Sequence, residues 1–60
     1  MRLKELRVEK GLKQSEVAVA VGVSTAVYGY YERGINKPDP DMLVKLADVF
    51  GCSVDYLLGR

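Results

Sequence analysis

Histidine and tryptophan are missing from this 60-residue chain, and cysteine occurs once, as Cys52. With no imidazole and a single thiol, no metal-ligand cluster of the usual kind can be assembled. No internal disulfide can form either, and a lone cysteine fits a reducing compartment. No apolar run approaches the ~20 residues of a membrane-spanning helix. The first residues, Met1-Arg2-Leu3-Lys4-Glu5, read as a natural start and are charged where a secretory signal is apolar. The expected location is the cytoplasm. Charge of one sign is scarce too. Lys and Arg total 9, Asp and Glu total 8, and the net charge is +1. Domains that bind nucleic acid are usually more basic. The materials of catalysis are thin: no histidine, no paired carboxylates in an evident cleft, no glycine loop for phosphates, and no room for a substrate domain. The sequence predicts a protein that is not an enzyme and needs no cofactor and no metal.

What is present has the balance of a globular domain, with 48% hydrophobic and 28% charged residues. The length allows one domain, 1–60, and not two. A core this small is marginal, so its helices must be well formed and well capped. Gly11, Gly22, Gly34, Gly51 and Gly59 punctuate the chain where helices would end. A first helix is expected from about Arg2 to Lys10, with Leu3 and Leu6 inward and Arg7 beside them. A second covers Gln14 to Val21. A third starts at Ser24, a good N-cap, and stops before Gly34, with Tyr28 and Tyr31 pointing inward. Asp39-Pro40 is a strong helix start, because Asp caps and Pro suits the first helical position. Leu43, Leu46, Ala47 and Phe50 then make the clearest 3.6-residue stripe. Ser53 caps a short fifth helix carrying Val54, Leu57 and Leu58. Cys52 is expected to be packed rather than reactive.

One stretch resists this reading. Val17, Val19, Val21 and Val23 fall at every second position, the period of a strand. The alanines between them are helix formers and no polar strand face. Local pattern leaves helix and strand both open here.

Gln14 to Gly34 has the layout of a short helix, a tight turn at Gly22-Val23-Ser24, and a second short helix. That is the spacing of a helix-turn-helix unit, here about 14–33. The motifs Gln14-Ser15-Glu16-Val17-Ala18, Gly22-Val23-Ser24 and Tyr31-Glu32-Arg33-Gly34 resemble the Cro/CI-type (XRE-like) helix-turn-helix regulators of phages and bacteria. The likeness continues through Lys37-Pro38, Leu43, Lys45-Leu46-Ala47, Phe50-Gly51 and Ser53 to Leu58, nearly the whole chain. It implies an all-α fold, a compact five-helix bundle of the lambda-repressor type, and so favours a helix for the valine stretch.

The resemblance also implies roles. Ser24, Thr25, Ala26, Gly29 and Tyr30 match positions that face the major groove of duplex DNA. Gln14 matches a phosphate-binding position at a helix start, where free N–H groups and the dipole favour an anion. Arg33, Asn36 and Lys37 match backbone-contacting positions. Arg7 and Glu32 match a structural ion pair, and Arg7 at the edge of an apolar stripe needs a partner in any case. The implied function is sequence-specific DNA binding by a transcriptional repressor, acting as a homodimer on a pseudo-palindromic operator, with Tyr56 and Leu58 as dimer contacts. Half-sites would lie about one turn, ~34 Å, apart.

The chain departs from the family in two places. Val19 and Ala20 stand where the second helix usually carries polar residues. The groove positions lack the Arg, Gln, Asn or Lys whose two-pronged contacts read guanine and adenine edges. Thr25 and Ala26 offer methyl groups to thymine methyls instead, so thymines at the centre of each half-site and modest specificity are expected. Phosphate contacts and DNA shape must carry more of the binding. The weak charge and the apolar Val19 and Ala20 also suit a second reading: a protein-interaction or antitoxin-type module with weak DNA affinity.

Overall fold

The computed structural model describes all of residues 1–60. Five helices follow one another: α1 (Leu3–Glu9), α2 (Gln14–Val21), α3 (Thr25–Arg33), α4 (Pro40–Phe50) and α5 (Val54–Leu58). There is no strand. The first helix is slightly shorter than its apolar pattern suggests, because Arg2 and Lys10 flank it as caps.

Three helix starts are fixed by side chains chosen for the purpose. The Ser24 hydroxyl accepts the Val27 N–H at 3.1 Å, the Asp39 carboxylate the Met42 N–H at 2.8 Å, and the Ser53 hydroxyl the Tyr56 N–H at 3.1 Å. At the start of α2 the Glu16 carboxylate reaches back to accept the Lys13 N–H at 2.8 Å. The α1 start has no side-chain cap. There the Arg2 N–H donates to the Leu57 carbonyl at 2.9 Å, which ties the chain's first helix to its last.

The turn between α2 and α3 depends on Gly22. Its φ of +81° is a left-handed conformation that glycine enters without steric cost. That conformation brings the Val23 N–H back to the Ala18 carbonyl at 3.0 Å and satisfies an otherwise orphaned acceptor. Val23 then packs against the core as the plug between the two helices. α3, α4 and α5 close on left-handed Gly34, Gly51 and Gly59 in the same way, whereas α1 is capped by Lys10 with left-handed Gly11 just after it.

Burial decides the valine stretch. Val17, Ala18 and Val21 are buried, and Val19 is 81% exposed. In a strand all three valines would share one face. The helix separates them because 100° per residue sends position 19 to the opposite side.

The core joins Leu3 and Leu6 of α1, Val17, Ala18 and Val21 of α2, and Tyr28 of α3. From α4 and α5 come Leu46, Ala47, Phe50 and Leu57. Leu43, Tyr31 and Cys52 are half-buried against it. No helix is long and apolar enough to cross a membrane.

Candidate nucleic-acid interface

α2 and α3 pack on one another across the Gly22 turn, and the start of α3 projects outward. Ser24, Thr25 and Ala26 are all exposed. Further along α3, Tyr30 is half-buried and Arg33 exposed. Ala26, Tyr30 and Arg33 are spaced i, i+4, i+7 and form one outward ridge. Asn36 and Lys37 are exposed in the loop after α3.

Gly29 departs from its expected place. The helical wheel puts it with Thr25 and Tyr30, but it is buried rather than open to a groove. The side-chain amide of Gln14 lies over it, 3.9 Å from where a Cβ would stand. The outward surface of α3 is therefore narrower than sequence spacing implies.

Gln14 is held there by Glu32. Its Nε2 donates to Glu32 Oε1 at 3.0 Å. Arg7 Nε donates to Glu32 Oε2 at 2.6 Å, and Arg7 Nη1 to the Leu12 carbonyl at 3.0 Å. The pair expected between Arg7 and Glu32 is thus present, and its side chains are only 14% and 4% exposed. It forms the centre of a network that joins α1, the loop at Leu12, the first residue of α2 and the last turn of α3. Burial alone pushes the Glu32 carboxyl up. The hydrogen bonds from Arg7 and Gln14 and the guanidinium charge together outweigh burial and hold it below its ordinary value. The hydrogen bond to Glu32 raises Arg7 in turn.

The hydroxyl of Tyr28 ends beside this pair. It is fully buried and makes no hydrogen bond. Burial pushes it up, and the adjacent Glu32 charge reinforces the shift.

Two stacked pairs escaped the sequence reading. The Arg33 guanidinium lies 5.3 Å from the centre of the Tyr30 ring, and its Nε donates to the Gly29 carbonyl at 3.4 Å. The Arg2 guanidinium lies 5.3 Å from the centre of the Tyr56 ring. The spacing of Tyr30 and Arg33, three apart on a helix, was the available signal for the first. The second joins opposite ends of the chain and leaves none. Tyr56 is 48% exposed on α5, and Leu58 is half-buried nearby in sequence. No three His, Cys, Asp or Glu side chains are grouped as metal ligands.

A helix-turn-helix family profile matches residues 3–57. The HTH-type transcriptional regulator ImmR of Bacillus subtilis is 41% identical over 98% of this chain and 46% of its own length. The transcriptional repressor RstR of the cryptic phage CTXphi in Vibrio cholerae is 37% identical over 95% of this chain and 51% of its own. A solved transcriptional regulator from Listeria innocua superposes with a TM-score of 0.89 at 40% identity, covering 97% of this chain and 54% of that one. The chain spans about half the length of these relatives.

Proposed function

The chain belongs to the Cro/CI-type helix-turn-helix family of transcriptional regulators, DNA-binding proteins rather than enzymes, and from that footing we propose that it binds duplex DNA in the cytoplasm by laying the start of α3 in the major groove. The observation that carries this reading is the exposure of Ser24, Thr25 and Ala26 at the N-terminal end of a helix braced on its other side by the core. Residues 1–60 act as one binding domain, with the helix-turn-helix unit at 14–33.

Thr25 and Ala26 meet thymine methyls, and the Thr25 hydroxyl bonds a base edge. Ser24 supports the helix start through its cap and faces a phosphate. Arg33 follows the strand backbone, with the Tyr30 ring beneath its guanidinium. Asn36 and Lys37, in the following loop, contact phosphates. Gln14, at the start of α2, keeps one amide N–H free of Glu32 for a phosphate. Gly29 contributes no surface to the groove. The action is repression, the role named for the Vibrio cholerae relative. Binding as a homodimer on a pseudo-palindromic site, with Tyr56 and Leu58 at the contact, doubles the contacts available to so small a module.

Val19, at 81% exposure on the outer side of α2, favours a second reading as a protein-interaction or antitoxin-type module. Titration of a duplex at several salt concentrations separates the two. The DNA reading expects log affinity to fall steeply and linearly with log salt, by about 0.9 for each phosphate neutralised. A flat response or absent binding supports the second reading. Selection from random duplexes is expected to return thymines at the half-site centres, and guanine-rich half-sites contradict the proposed contacts.

A further inference from the structure

Arg33 is the cation on the outward ridge of α3. The structure's ion pairs are Arg2 with Glu5 and Arg7 with Glu32, so no carboxylate neutralises Arg33. Two contacts restrain it. Its Nε–H is used on the Gly29 carbonyl one turn back, and its guanidinium lies over Tyr30. A guanidinium has five N–H donors in a planar fork. With one donor turned to the helix, the four on Nη1 and Nη2 remain for an external acceptor. A free arginine samples many rotamers, and much of that freedom is lost when it grips a phosphate. Here the ring and the carbonyl have already narrowed its choices before any ligand arrives.

We propose that Tyr30 is a positioning residue: its ring is a platform that holds the Arg33 guanidinium outward for one DNA phosphate, and its hydroxyl makes no contact with the DNA. This rests on the DNA-binding reading above and refines it, because Tyr30 then acts through Arg33 and carries no sequence preference of its own. The ridge gives phosphate contact at its Arg33 end, and base contact is confined to Thr25 and Ala26. The platform needs an aromatic face and no hydroxyl, since the attraction comes from the ring quadrupole.

The test is a cycle of variants titrated against a labelled random-sequence duplex at several salt concentrations, with helicity checked by circular dichroism. Wild type, Tyr30→Phe, Tyr30→Leu, Arg33→Ala and the Tyr30→Leu/Arg33→Ala double variant are compared. Arg33→Ala is expected to weaken binding roughly tenfold, within the range for charged hydrogen bonds, and to reduce the salt slope by about one. Tyr30→Phe should match wild type. Tyr30→Leu should lose several-fold in the wild-type background and nothing further beside Arg33→Ala, because residues that act as one unit are not additive. Loss on Tyr30→Phe, equal Tyr30→Leu losses in both backgrounds, or an Arg33→Ala protein with unchanged affinity each overturns the proposal while the DNA reading stands. A wild type that binds no duplex overturns both.

Discussion

Among single residues, Arg7 and Glu32 carry the largest consequence. Their pair is shielded from water at both ends, so removing one partner leaves the other buried and uncompensated. Arg7→Ala is expected to cost about 3 kcal/mol, read by urea denaturation, at the low end for buried pairs because Arg7 keeps some contact with water. For a domain this small that approaches the whole stability. The pair also sets an acid limit. Glu32 titrates below its ordinary value when folded, so its contribution is complete above its unfolded value near 4.3 and is lost as pH falls through the folded one. Thermal melts of the wild type should therefore drop as pH falls below about 4.3. Glu32→Gln should start lower and show a shallower decline. A parallel decline in both proteins places the acid sensitivity elsewhere. Tyr28 tells the converse story: its hydroxyl is buried beside this pair without a partner.

Among elements, α3 carries an avoidable weakness at Gly29. Glycine inside a helix costs about 1 kcal/mol relative to alanine. A Cβ there would meet Gln14 at 3.9 Å, an ordinary contact that needs no rearrangement. Gly29→Ala should raise stability by about 0.5–1 kcal/mol in urea denaturation with DNA affinity retained. A loss of stability would mean that the Gln14 amide tolerates no neighbour. The element boundaries were legible in the sequence because capping residues and glycines act locally. Ser24, Asp39 and Ser53 each cap the helix that their positions announce. The burial of Gly29 was not legible, because the periodicity of α3 treats positions 25, 29 and 30 alike. Only the packing of Gln14 across from α2 distinguishes them. The valines of α2 were ambiguous for a related reason. Their alternation is satisfied by either period until α3 and α4 supply the partners that bury Val17 and Val21 and leave Val19 outside.

For the whole molecule, a modest net charge of +1 is distributed to advantage. Arg33 and Lys37 lie exposed at one end of α3, and the aspartates fall from residue 39 onward. If two copies bind one operator, a duplex bearing both half-sites should show a steeper binding curve than one bearing a single half-site. Mobility-shift titration reads this directly, and equal, non-cooperative curves argue for action as a monomer. The Arg7–Glu32 pair was legible only through the family likeness. Its extension to Gln14 and Leu12 needed three-dimensional packing, since nothing in the spacing of residues 7, 12, 14 and 32 brings them together.

The hydrogen bond from the Arg2 amide to the Leu57 carbonyl makes the chain's two extremities mutually dependent. A five-residue helix has almost no stability alone, so α5 stays formed only while docked, and its docking is signalled at the far end of the sequence. The Arg2 amide proton is therefore a built-in gauge. Its exchange with deuterated solvent tracks detachment of α5, and protection there equal to that of Leu46 would mean that the bundle opens as one cooperative unit, with no frayed tail.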